Sequence, residues 1–416
     1  MKTQPFDSML YFYGKVQTPR IRCLIRLKGH ISESTLIRAV DLSIGAVPLL
    51  RCIFDEQRHC WIEKKFSGKD IVHLTEVSGE SEYQALSYLL SAIDHTAEPQ
   101  LKIWIIRDKQ YDTLCVIINH MVCDGAGFKE YLYLLCGLYS KCEENAGYNT
   151  IPNLEKDRSL HQVLRNFSGK EKLRILLKNS KSDKPDPAMA MPLIGDLANP
   201  FVVVKRIAEE PFGKIRSACK SRNASVNDAL LTAYMRALSC ATGCKAIAIP
   251  CPVDLRKFGA EKQRFGLCNL TGNYWCSAEI PDNETFEDTL EKVSAQMQAQ
   301  KNSTACLKAP MLFQIMYRML PFRVVRNLFH KVSPPPVISF TNVGILDYKK
   351  LCLGSHTAED AFISTAIKKA PYFQLTVSSC RGHCVLSSSQ YGTENDGVFI
   401  SGFLDEIIRE LTEFGA

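Results

Sequence analysis

The chain has 416 residues, 46% hydrophobic and 23% charged, the make-up of a soluble globular protein long enough for two or three domains or one unit of two halves. Its 51 Lys and Arg against 44 Asp and Glu leave a net charge of +7 dispersed along the sequence, a mild preference for anionic ligands. There is no Walker A sequence, no G-x-G-x-x-G after a strand and no basic stripe interleaved with aromatics, so nucleotide-cleft and nucleic-acid functions find no support.

In chain order, "SESTLIRAVDLSIGAV" spaces Leu36, Val40, Ile44 and Val47 as a helix that starts just after Ser32 and Ser34. After Pro48, "LLRCIF" and "CWIEKKF" flank the polar turn "DEQRH" as a hairpin. A helix is expected over Ser81 to Ala97. The apolar runs "LKIWIIR" and "TLCVIINH" follow as strands buried on both faces, and then the helix "GFKEYLYLLCGLYSKCEE". His120 to Gly125 therefore falls on a strand-to-helix connection, where functional residues concentrate.

"KNSKSDKPDPAMAMP" is polar, Pro- and Lys-rich and without periodicity, and reads as a linker. The expected division is residues 1–180, a linker at 181–195, and residues 196–416. Beyond it come the strand "FVVVKRI", the helix "SVNDALLTAYMRALSCATG" with Ser225 and Asp228 as its cap and Gly243 as its end, the strand "AIAIPCPVDLR" and the helix "TFEDTLEKVSAQMQAQ". The chain closes with the strand in "PPPVISFTNVG", a hairpin turning at "CRGH", and the helix "VFISGFLDEIIRELTEF". Both halves mix helices and strands, an α/β class with mixed sheets, and no repeat relates them in sequence.

"INHMVCDG" carries the chemistry. A histidine serves as general base near neutral pH when one tautomer is held in place, and His120 ends an apolar strand. Asp124 is too near in sequence to be assumed its relay partner; it could point away and pair with a cation that fixes the loop. Gly125 would allow tight curvature and leave room for substrate. The bland alternative is a satisfied histidine at a strand end followed by an ordinary Asp-Gly turn.

"NHMVCDGAGF" resembles the active-site segment of the CoA-dependent acyltransferase superfamily, which includes chloramphenicol acetyltransferases, condensation domains, bacterial alcohol acetyltransferases and wax-ester synthases. Four more segments fit in the expected order: "VPLLRCIFD", "SVNDALLTAYMRAL", "PVDLR" at Pro252–Arg256 and "ISFTNVG" at Ile338–Gly344. The last hairpin and helix, with "SSQY", also resemble such chains, so the likeness runs from Phe6 to the last helix. It implies two chloramphenicol-acetyltransferase-like subdomains forming a pseudo-dimer, with an active-site tunnel between them.

The resemblance further implies acyl transfer from acyl-CoA or an acyl carrier protein to a hydroxyl, with His120 as base, Asp124 paired with Arg256, and Gly125 keeping the channel open. Thr341 and Asn342 are candidates for binding the oxyanion, with a simple strand end and turn as the alternative; Asn273 in "TGNYW" is a weaker one. Asn119 stands where condensation domains usually carry the first of two histidines, and the D-F-G-W-G segment of plant acyltransferases is absent. Both departures point to free-standing bacterial O-acyltransferases. The competing readings are an amide-forming condensation-type enzyme and a non-catalytic member that binds a carrier protein.

Seventeen cysteines are an odd number in a long chain, and Gln4 and Asp7 sit where an export signal needs apolar residues. A cytoplasmic monomer with small buried cysteines is expected, Cys123 among them, with no permanently bound cofactor. Cys240 with Cys244, and His383 with Cys380 and Cys384, lack zinc-site spacing, so no metal is expected. No apolar run approaches the roughly 18 residues of a membrane span. "MLFQIMYRMLPFRVVRNLFH", with Arg318, Arg323 and Arg326, is read as a Pro-interrupted helix packing on the core; contact with a membrane surface, an acidic carrier protein or an acyl chain is the alternative.

Overall fold

The computed structural model describes residues 1–79, 81–178, 189–332 and 334–416. The first half runs α1 (Pro5–Phe12), β1 (Gln17–Thr18), β2 (Arg20–Lys28), α2 (Glu33–Ala46), β3 (Cys52–Asp55), β4 (Cys60–Glu63), β5 (Val72–Glu76), α3 (Ser81–Leu89), β6 (Leu101–Arg107), β7 (Tyr111–Asn119), α4 (Gly125–Glu144), α5 (His161–Leu164) and α6 (Gly169–Leu177). The second continues with β8 (Pro200–Ile207), α7 (Glu209–Ser221), α8 (Val226–Thr242), β9 (Ala246–Asp254), β10 (Thr271–Glu279), α9 (Phe286–Lys301), α10 (Lys308–Met319), α11 (Phe322–Val332), β11 (Ile338–Leu346), β12 (Ala358–Ser364), β13 (Ile367–Lys369), β14 (Phe373–Cys380), β15 (His383–Tyr391) and α12 (Glu394–Gly415).

Two mixed sheets carry the fold. The five-stranded sheet has the order β12-β2-β7-β6-β5, and the larger sheet runs β1-β13-β15-β14-β11 with β8 also paired to β15. One face of the first sheet packs under α2 and α4 through Ile21, Ile25, Ile103, Val116 and Ile118. The second sheet packs under α8 and α12 through Phe340, Phe373, Leu375 and Leu386. Helix α8 keeps the expected capping box, Ser225 with Asp228, and ends on Gly243 in the left-handed region.

The halves of the chain exchange strands. β12, from beyond residue 350, pairs antiparallel with β2, while β1 near the start pairs with β13. The sheets thus cross the division expected at 181–195. Residues 181–188 of that segment lie outside the described residues. In its remainder Met189 and Met191 are buried in the core of the second half, and the backbone N–H groups of Ile194 and Gly195 donate to Asp396 (2.8 and 3.0 Å).

The helix expected over Ser81 to Ala97 stops at Leu89. Asp94 competes for the backbone there: its carboxylate accepts from the Thr96 N–H (2.9 Å), its own N–H donates to Glu98 (2.7 Å), and Pro99 follows. Pro321 separates α10 from α11, whose inner faces pack Phe313, Val325 and Phe329 against Phe12. Among the described residues no helix is long and apolar enough to cross a membrane.

Candidate active site

β7 ends because Asn119 turns its side chain onto the chain that follows. Its Oδ1 accepts from the Met121 N–H (3.1 Å), and its carbonyl accepts from that of Val122 (2.9 Å). The other end of the amide is anchored too, Nδ2 donating to Gln100 Oε1 (2.6 Å), and the Asn119 N–H donates to the Gln100 carbonyl (2.9 Å). His120 follows, partly exposed, with its N–H donating to the carbonyl of Pro19 (3.0 Å).

Two side chains from elsewhere strap the carbonyls of this turn. Asn269, buried in the connection between β9 and β10, donates from Nδ2 to the carbonyls of His120 (3.0 Å) and Met121 (3.3 Å). Arg158 donates from Nη2 to the carbonyls of Met121 (3.3 Å) and Val122 (3.0 Å), and its two Nη atoms also grip both oxygens of Asp7 (2.9 and 3.0 Å). A bidentate guanidinium of this kind fixes position as well as charge. The carbonyls of His120, Met121 and Val122 are thereby each assigned a partner, as a buried loop requires.

Asp124 caps α4 and turns to the second half. Its Oδ1 accepts from the Gly127 N–H (2.8 Å); its Oδ2 accepts from the Leu270 N–H (2.7 Å), Arg256 Nη1 (3.0 Å) and Thr271 Oγ1 (3.2 Å). Burial pushes the carboxyl pKa up, but Arg256 and these N–H groups outweigh it, and Asp124 is held below the usual range. Arg256 also donates to Asp254 (3.0 Å) and to the Cys268 carbonyl (2.8 Å). The carboxylate therefore ties the two halves together.

The imidazole differs. Nδ1 of His120 is buried and makes no hydrogen bond, although the carbonyls of His120 and Cys123 lie near enough to favour a proton on the ring. Burial dominates all the same and lowers the His120 pKa below its ordinary value, so the ring is neutral at pH 7. Burial raises the Cys123 thiol well above its ordinary range, which leaves no thiolate there.

Gly125 has no left-handed φ, and a Cβ built on it would meet only the Val343 methyls, at 3.6 and 3.9 Å. The first turn of α4 thus faces β11. At Gly127 a Cβ would come to 3.0 Å from the Cys123 Cβ and 3.3 Å from the Cys268 carbonyl, so any side chain there would have to press these neighbours back. Lys129 completes the contact by donating to the Val343 carbonyl (3.1 Å).

On β11, Thr341 Oγ1 accepts from Gln374 Nε2 (2.7 Å), which leaves the hydroxyl proton unassigned. The Asn342 amide is engaged at both ends, donating to Asn227 Oδ1 (3.1 Å) and accepting from the Gly344 N–H (2.9 Å). A bulge between Asn342 and Gly344 re-aims the strand here, with Gly344 at φ +80°. Asn342 also lines a cavity of about 260 Å³ with Asp254, Lys257, Tyr274 and Lys301. Asn273 lies opposite Pro252 on β10, exposed, and is not part of this cavity.

A larger depression, about 860 Å³, lies between β8 and the start of α12, lined by Phe201, Val203 and Val398; none of the groups holding the His120 turn reaches it. Among the described residues no three His, Cys, Asp or Glu side chains are placed to share a metal ion.

The sequence pattern did not disclose Gln100, Arg158 or Asn269. They lie far from "INHMVCDG" in the chain and act through carbonyls, for which no local motif exists.

No family model matches the chain, and no curated protein matches it by sequence. Solved structures do. The first condensation domain of a calcium-dependent antibiotic synthetase, in complex with a substrate analogue, superposes with a TM-score of 0.71 at 13% identity, covering 100% of this chain and 96% of that one. The chain has the condensation-domain fold. Polyketide synthase associated protein 5 from Mycobacterium tuberculosis is similar in fold at TM-score 0.69 and 14% identity, over 98% of this chain and 96% of that one. Trichothecene 15-O-acetyltransferase from Fusarium sporotrichioides follows at 0.70 and 14%, over 99% and 95%. The condensation-domain fold is also that of an epimerization domain of tyrocidine synthetase, at TM-score 0.67, so the fold by itself does not select the reaction.

Proposed function

We propose that this protein is an acyltransferase that moves an acyl group from a thioester, acyl-CoA or an acyl carrier protein, to a hydroxyl acceptor, with His120 as general base. The observation that carries the reading is the neutral, partly exposed imidazole on a turn held by Asn119, Arg158 and Asn269. In this reading the neutral ring carries its proton on Nδ1, the buried nitrogen, and presents the Nε2 lone pair.

Nε2 takes the acceptor's proton as its oxygen attacks the thioester carbon. The C–O bond forms, the carbonyl π electrons move to oxygen, and collapse of this intermediate breaks the C–S bond. The imidazolium returns its proton to the departing sulfur, and no group stays on the enzyme. Thr341 donates to the oxyanion, its hydroxyl proton having no partner among the described residues, while one of the two amide hydrogens of Asn342 is taken by Asn227. Asp124 and Arg256 position the turn. Gly125 leaves the space toward Val343 for substrate. Lys257 and Lys301, exposed on the cavity that holds Asn342, suit the phosphates of CoA or of a carrier's pantetheine arm.

The test is to incubate the purified protein with mixed acyl-CoAs and libraries of alcohols and amines, and to search for products by mass spectrometry. Esters that vanish with His120→Ala support the reading. Amides alone would replace it with condensation chemistry, and no product from either library, with CoA or carrier donors, would favour a binding protein.

A further inference from the structure

The net charge of +7, which looks dispersed along the chain, sits mostly in two segments that pack against each other. Residues 302–337 contain Lys308, Arg318, Arg323, Arg326 and Lys331 and not one Asp or Glu. Helix α6 packs beside α10, tied to it by Lys308, which donates to the Lys178 carbonyl (2.6 Å), and by Lys178, which donates to Ser303 (3.3 Å). Residues 168–178 add Lys170, Lys172, Arg174 and Lys178 against Glu171 alone, whose carboxylate caps α6 at Ser168. Together the two segments hold nine cations and one carboxylate, so the rest of the chain is close to neutral. None of the nine forms a salt bridge among the described residues.

The same helices turn apolar side chains outward. Leu312, Ile315 and Met319 follow at helical spacing along α10, and Leu320 and Val324 continue the stripe across the break at Pro321; all five are exposed, Met319 at 76%. On α6, Leu173 and Leu177 are exposed one turn apart. These helices already have a core: Phe313, Val325 and Phe329 face inward onto Phe12, and Ile175 faces the core of the second half. The outward stripe is therefore surplus to folding. Neither cavity of the candidate site region reaches it, and its most exposed apolar residue sits at the tip of the α10–α11 hairpin.

We propose that this face docks the protein on an anionic lipid surface. Apolar side chains exposed along two successive helices, with cations that form no salt bridge among the described residues, match the interfacial region of a bilayer, where the apolar groups enter the acyl boundary and the cations meet headgroup phosphates. A folded acidic partner would instead need a groove shaped to receive Met319 and its neighbours. Docking of this kind is peripheral and needs no membrane-spanning helix.

Vesicle flotation at low ionic strength tests it without turnover, so that its result is separate from that of the acyltransferase assay. The protein is expected to float with phosphatidylcholine vesicles containing phosphatidylglycerol and not with phosphatidylcholine alone. Each cation near the surface contributes about five-fold to partitioning, so Arg318→Glu with Arg323→Glu lowers binding by roughly 25-fold or more. Met319→Glu with Val324→Glu is expected to abolish it while thermal melting stays unchanged, these side chains being exposed. No flotation with the anionic vesicles, or equal flotation of both double variants, overturns the proposal. So does binding of an acyl carrier protein that Arg318→Glu removes while vesicles fail to bind, which would assign the face to a protein partner.

Discussion

The turn Asn119 to Asp124 leads into the helix that packs against Val343 of β11, and it is held differently from the stretch Thr341 to Gly344 on that strand. The first is fixed from several directions, by Gln100, by Arg158 and by Asn269 and Arg256 from the other half. The second is a bulged stretch within β11 whose side chains answer to Gln374 and Asn227, with a cavity beside Asn342. The turn that carries His120 is the more heavily braced of the two.

The contrast can be broken most severely at its centre. His120→Ala is expected to lower kcat by about 10²–10⁴-fold with the thermal midpoint unchanged or raised, since it removes an unpartnered buried Nδ1; single-turnover assays beside calorimetry check both. Arg256→Met leaves the Asp124 carboxylate buried without its cation and is expected to cost about 3–5 kcal/mol in urea unfolding. Adding Asp124→Asn to it should recover part of that loss, whereas strict additivity of the two would deny the coupling.

On β11, Thr341→Val should reduce kcat by about 10²-fold with stability little changed, and Asn342→Ala by less, because one of its amide hydrogens and its amide oxygen are already engaged. The mildest probe is pH. With the His120 pKa lowered in the folded protein, the base is free at neutral pH, so kcat/KM should be flat there and fall only below the ordinary imidazole range near 6.5. The sign for stability is the same: protons bind the unfolded histidine more readily, so folding weakens as pH falls through that range. A pH profile breaking above 6.5 would show an imidazole stabilised as the cation instead.

Much of this was legible in the sequence. The strand-turn-helix around His120, the capping of α8 and the hairpin at Arg381–Gly382 follow from periodicity and cap chemistry, and the resemblance placed Asp124 beside Arg256 before any coordinates did. β2 was missed for a physical reason. Arg20, Arg22 and Arg26 break its apolar pattern, yet Arg20 and Arg22 are buried, Arg22 donating to the carbonyl of Thr365 (2.7 Å). Charged residues with distant partners look exposed when read locally. Asn269 was invisible for the same reason, since the carbonyls it holds lie in the other half of the chain.

The exchanged strands set a timetable for synthesis. β2 leaves the ribosome early, but the strand that covers its edge, β12, emerges only when most of the chain has been made. Until then the first sheet carries an open row of backbone donors and acceptors on an apolar element, the geometry that invites pairing with the wrong chain. Each half takes a strand from the other, and cell conditions that slow translation after the first half should raise the fraction lost to aggregation more than conditions that slow it earlier.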